Sequence, residues 1–179
     1  LITERDAVGL GRIESGTADV TLTLGGAVTM LEGGKIAGGL LTVNAAAPAD
    51  LNLVTAVVRV EARTSGNLTI RETDDVVASA TFVDAGPTAG NFKVVASGAV
   101  SLGAVTGSKS VNVESPSLIV PVGEIRPLPA IGIDYLGTNG GRLELKNGEV
   151  DTVVRRLGSG TNGLVEVDGV AVRYTNAAT

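Results

Sequence analysis

Three groups of residues in this sequence have the types and spacing that chemistry asks for. Arg59, Glu61 and Arg63 alternate with Val58, Val60 and Ala62, and on a strand alternate residues share one face. Two guanidinium groups flanking a carboxylate can hold an acidic sugar. The same alternation also describes a salt-bridged outer face, where each ion pair contributes little. The second group is acidic: Glu4 and Asp6, then Glu72, Asp74 and Asp75. Carboxylates alone can ligate calcium, yet no EF-hand loop and no Gly-Gly-x-Gly-x-Asp series surrounds these. A solvated acidic corner is the expectation, with calcium at Asp74 and Asp75 as the alternative. The third group is Gly158-Ser159-Gly160-Thr161-Asn162-Gly163, a literal G-x-G-x-x-G. Dinucleotide binding needs a strand before that motif and a helix after it. Val153-Val154 precedes, but the strand-like Leu164-Val165-Glu166-Val167 follows, so it reads as a β-turn. Asn67-Leu68-Thr69 is a formal sequon, meaningful only in a eukaryotic secretory setting. No catalytic, cofactor-binding or metal-binding residue is assigned, and no enzyme activity is expected.

Composition removes further chemistry. With no Cys, the sequence has neither a disulfide framework nor a thiolate nucleophile. With no His, it has no Ser-His-Asp triad and no imidazole acid–base catalyst. The net charge of −5 and pI near 4.7 argue against nucleic acid or an anionic membrane as partner. No apolar run approaches the roughly 20 residues that span a bilayer. Aromatic residues are 2 % of the chain, which also counts against sugars that stack on rings. The hydrophobic share of 44 % still supplies a core, built of aliphatic residues and accompanied by 25 glycines.

The elements that must position these groups all read as short strands. Residues 19–24, 40–44, 57–61, 68–71, 92–95, 110–114, 143–146, 164–167 and 170–173 each show period-2 or β-branched character. Gly, Asn, Ser, Asp or Pro bounds each of them. No window carries a capped helical stripe. The fold class is all-β.

Internal repetition is the second organising signal. Residues 2–8 resemble 70–76, residues 19–28 resemble 91–100, and residues 41–44 resemble 111–114, in that order and at offsets of about 70 residues. Strand–turn units recur within that period about every 20–24 residues, the length of one solenoid coil. Aliphatic strands with glycine at the corners suit a parallel β-helix, a column of stacked coils. A β-sandwich or a tandem pair of sandwiches is the alternative. On the solenoid reading Leu22 and Val94 lie three coils apart. Residues 1–114 form the repeats. Residues 115–137, with Pro116, Pro121, Pro127 and Pro129, form an excursion or junction. Residues 138–179 form further coils or a C-terminal unit.

The segment Ala18-Asp19-Val20-Thr21-Leu22-Thr23-Leu24-Gly25-Gly26-Ala27-Val28 resembles the repeats of large secreted bacterial exoproteins. These are the filamentous-haemagglutinin-like adhesins and autotransporter passengers, and Gly66-Asn67-Leu68-Thr69-Ile70 before an acidic corner is similar in style. The resemblance implies a right-handed parallel β-helix that serves as an extracellular or cell-surface stalk, filament or adhesin. It implies no catalytic residues and no cofactor. The strand-like opening Leu1-Ile2-Thr3-Glu4 fits a fragment of a longer chain whose export signal lies upstream. Expected partners are neighbouring coils of that chain, end-to-end copies of itself, or a host or cell-surface receptor, without nucleic acid or membrane insertion. Alternatives are a β-sandwich that acts as a binding module or as a sheath or capsid-type structural subunit, and a polysaccharide-active β-helix enzyme. The enzyme would need carboxylates converging beside the Pro-rich segment.

Overall fold

A computed structural model describes residues 1–45, 50–83, 89–121, 125–126, 132–147, 150–156, 160–167 and 170–176. Among them there is no helix, and fifteen strands join in one sheet. In chain order these are β1 (Ile2–Glu4), β2 (Val8–Glu14), β3 (Val20–Leu24), β4 (Val28–Ala45) and β5 (Leu51–Thr64). They continue as β6 (Leu68–Glu72), β7 (Val76–Phe82), β8 (Asn91–Ala96), β9 (Ala99–Thr106) and β10 (Ser110–Pro121). The last five are β11 (Ile125–Arg126), β12 (Ile133–Asn147), β13 (Val150–Arg156), β14 (Asn162–Val167) and β15 (Val170–Asn176).

The parallel pairings fall into two ladders. The first joins β1, β3, the second halves of β4 and β5, β7, β9, and the second halves of β10 and β12. The other joins β2, the first halves of β4 and β5, β6, β8, the first halves of β10 and β12, and β15. In this second ladder Val8 pairs with Val28, then come Leu51, Leu68, Phe92, Val111, Ile133 and Val172. Each step from Val8 to Ile133 is one turn of a β-solenoid, six in all. The fold is therefore the stacked parallel coil, not the sandwich. Two coils, Leu51 to Leu68 and Phe92 to Val111, fall short of the expected length. The shorter of them turns from β5 to β6 through Ser65, Gly66 and Asn67 alone.

Strands as long as β5 are possible because they bend without leaving the sheet. Along β5 burial alternates to Val57; Val58 and Arg59 then both face out, and Val60 is buried again. That one-residue slip carries the chain from one ladder to the other, so Val58 is outward although its neighbour Val60 is core. β10 does the same at Pro116 and Ser117, where its pairing with β12 shifts register. The Tyr135 hydroxyl clamps that bulge, donating to the Ser115 carbonyl at 3.0 Å and lying 3.3 Å from the Arg142 carbonyl. Of the stretch expected to be an excursion, residues 115–121 thus run inside the stack; Pro127 and Pro129 lie outside the described residues.

The core is a column. Val28, Leu51, Leu68, Phe92, Val111, Ile133 and Val172 are all buried, as are Leu22, Leu41, Val43, Val60 and Leu102 of the other ladder. Each such side chain contributes about 1.5–3 kcal/mol by leaving water. The two phenylalanines meet inside it, Phe82 and Phe92 with ring centroids 6.3 Å apart. The column ends differently at its two ends. Among the described residues β1 and β2 pair on one side only, with β3 and β4. At the far end β13 lies antiparallel on β12 and β14 antiparallel on β15.

The markers of the long repeat fall half a coil out of phase. Ile2, Val20 and Leu41 belong to the first ladder, whereas Ile70, Phe92 and Val111 belong to the second. Leu22 and Val94 are therefore on different ladders and are not separated by a whole number of coils. What repeats is a corner. Gly26 sits over Asp6 and Gly98 over Asp74, and a Cβ on either glycine would be 2.5 Å from the aspartate carbonyl carbon. The two copies of this packing lie at opposite edges of the solenoid.

Candidate functional site

Outward residues of a solenoid form rows parallel to its axis, so any site here is built from strand positions rather than loops. Arg59, Glu61 and Arg63 do share one outer face, on the second half of β5. They lie in a groove of about 410 Å³ together with Thr42, Asn44 and Thr81. The Arg59 Nε stands 3.1 Å from the Glu61 carboxylate, and both side chains are about half exposed. The pair is thus a surface ion pair, contributing about 0–1 kcal/mol, with its carboxylate engaged.

The acidic corners serve the backbone. Asp75 Oδ1 accepts the Ala99 N–H at 2.6 Å from the next coil. Glu72, 4 % exposed, points inward and is satisfied there. It accepts N–H groups from Val57 at 3.1 Å, Thr73 at 2.7 Å and Asp74 at 3.3 Å. A buried carboxylate needs such donors, because burying it unpaired would cost several kcal/mol. Glu4 and Asp6 lie at the opposite edge, where the Glu4 carbonyl accepts the Gly25 N–H at 2.8 Å. Among the described residues no three acidic groups converge as a metal site. Of the glycine motif, residues 160–163 are described: Gly160 is in a turn at φ 68° and Asn162 opens β14. A strand follows the turn, as the sequence pattern indicates, and Gly158 lies outside the described residues.

Sequence reasoning missed a second groove, on the outer face of the second ladder. Asn52, Thr69, Lys93 and Asn112 are consecutive partners in register across β5, β6, β8 and β10. Asp50, Asn67, Asn91 and Ser110 form a hydrogen-bonded corner beside them. Asn67 Nδ2 donates to Asp50 at 2.8 Å, Asn91 Nδ2 to Asn67 Oδ1 at 2.9 Å, and Ser110 Oγ to Asn91 Oδ1 at 2.8 Å. This ladder occupies the sequon asparagine from both sides. Arg71 completes the groove, about 750 Å³ and open to solvent. Beyond Lys93 and Asn112 a further groove, lined also by Glu114, Asp134 and Arg173, continues the same face. The signal in the sequence was the recurrence of Asn at 52, 67, 91 and 112. Its spacing is too uneven to align without knowing the coil lengths.

Compared with known proteins, the chain matches no family model, no curated protein and no solved structure.

Proposed function

We propose that this chain is a structural or adhesive module, several coils of a stalk belonging to a large secreted or surface-displayed bacterial β-helix protein of the filamentous-haemagglutinin-like kind. The observation that carries this reading is the unbroken inward ladder from Val28 to Val172. Each coil in it touches only its neighbours, so length can be added without redesigning a core. Among the described residues β1 and β2 keep one unpaired edge, which suits the same role, because a free parallel edge can receive another coil. Thr, Asn, Asp, Glu, Lys and Arg on the outward rows keep the rod soluble. Function on this reading is reach and display at the cell exterior rather than turnover.

The test is mechanical. The chain is held by its two ends and stretched one molecule at a time. A stalk element is expected to yield in steps of roughly one coil, each releasing about 70 Å of contour for some 20 residues. Collapse of the whole stack in one event at the lowest forces would overturn the reading, since such a column transmits no load.

A further inference from the structure

Arg71 and Lys93 are the two cations of the second groove, on adjacent rungs. Arg71 is opposite Val95 and Lys93 opposite Thr69, so the two are diagonal neighbours on one outer face. Both are exposed. Neither side chain has an ion pair or hydrogen bond among the described residues. Arg12, Arg59, Arg142 and Arg173 each reach a carboxylate, whereas Arg63 and Lys109, like these two, reach none among the described residues. Like charges placed together on a sheet are unfavourable, and the chain carries a net charge of −5. With acidic residues in excess, these two cations still stand unpaired side by side. Asp50 lines the same groove, where it accepts from Asn67 and makes no ion pair with either cation, and Glu114 makes none with Lys93.

Around this cationic centre the groove supplies neutral hydrogen-bonding groups at every rung. Asn52 lies on one side and Asn112 on the other, with Thr69 between. The rungs are about 4.8 Å apart, close to the advance of one sugar residue in an extended glycan. An anion alone would need the cations and not the row; a neutral glycan would need the row, and usually an aromatic platform, and not the cations. A chain carrying both a carboxylate and many hydroxyls uses all of it.

We propose that the groove across β5, β6, β8 and β10 binds a uronic-acid glycan laid along the solenoid axis, Arg71 and Lys93 holding one carboxylate while Asn52 and Asn112 hydrogen-bond hydroxyls of the flanking sugars. The site adds a partner to the chain and does not depend on the stalk reading, which the stretching experiment tests separately.

The experiment is calorimetric titration of the intact chain with an oligogalacturonate of four sugars, and with its methyl-esterified form. Binding of the acid and at least tenfold weaker binding of the ester are expected, because esterification removes the charge-assisted contact to Arg71 and Lys93. The double variant R71Q/K93Q should lose at least tenfold, whereas R63Q on the other face should lose nothing; both positions are exposed, and circular dichroism verifies that each variant folds. N52A and N112A should each weaken binding of the acid while leaving inorganic sulfate unaffected. No binding of the acid, equal binding of the ester, indifference to R71Q/K93Q, or equal binding of oligothymidylate would each overturn the proposal.

Discussion

Gly26 rests so closely on Asp6, one coil away, that a Cβ would stand 2.5 Å from the aspartate carbonyl carbon. Gly98 has the same relation to Asp74. Backbone on both sides of the contact leaves nothing soft to move. Gly26→Ala and Gly98→Ala should each destabilise the chain by about 2 kcal/mol or more. Gly11, with nothing within 4 Å of its would-be Cβ, is the control, and Gly11→Ala should change stability by less than about 1 kcal/mol. Urea denaturation of the three variants decides it, and equal midpoints would remove the corner contact as a packing constraint.

The hydroxyls of Ser65 and Ser108 are buried and have no hydrogen-bond partner among the described residues. An unsatisfied buried hydroxyl costs about 1–3 kcal/mol. Ser65→Ala and Ser108→Ala should therefore raise the thermal midpoint by roughly 2–12 °C each, at about 2–4 °C per kcal/mol. Calorimetry in matched buffer is the measurement, and a lowered midpoint would mean that each hydroxyl has a partner in solution.

Asn52 and Asn112 are three rungs apart on one outward row. Spin labels on cysteines introduced there should read about 14 Å between backbones, extended by the label tethers. The absence of native Cys makes the labelling clean. A distance beyond about 30 Å would be incompatible with rungs of this spacing.

Burial pushes the Tyr135 hydroxyl up to about 12. The folded value lies above the ordinary one near 10. The stabilising contribution is then present in full below pH 10 and is lost as pH rises toward 12. Tyr135→Phe should be less stable at neutral pH by about 1 kcal/mol and should show a shallower loss between pH 10 and 12. Parallel pH–stability curves of the two proteins would show that Tyr135 does not titrate with unfolding.

Asp75 spends its carboxylate on the Ala99 N–H of the next coil. Asp75→Ala should cost about 1–2 kcal/mol, as losing a charged acceptor for a backbone donor does. Asp75→Asn keeps an acceptor oxygen and should recover most of it. Millimolar calcium should leave the midpoint of the unaltered chain within a degree; a larger rise would revive the calcium alternative at Asp74 and Asp75.

How much of this was readable in advance depends on the segment. Residues 19–24, 68–71 and 110–114 have β-branched or aliphatic residues at every second position, and each is a strand with that face buried. β2, β7 and β9 were harder, because Gly9 and Gly11, Ala78 and Ala80, and Gly103 and Ala104 dilute the same alternation with residues that favour no strand. Small residues are tolerated there because the neighbouring coils supply the burial. Arg59, Glu61 and Arg63 share a face by period alone, so their grouping was legible, but the outward turn of Val58 was not. It arises from the bend in β5, which a local pattern does not encode.

The sequence by itself determined the class of fold, since an aliphatic period of two with glycine corners and no helical stripe can be buried only as strands. It also determined that a motif recurs, residues 19–28 returning as 91–100. Only the tertiary structure decided what that recurrence means. Coils of unequal length, Leu51 to Leu68 against Leu68 to Phe92, put the two copies on opposite edges, so they share a corner packing and not a rung. The same irregular lengths bring Asn52, Thr69, Lys93 and Asn112 into one row and set Arg71 beside Lys93. Register between coils is fixed by long-range backbone pairing and by how each corner closes. Those quantities belong to neighbouring coils together and to no single segment.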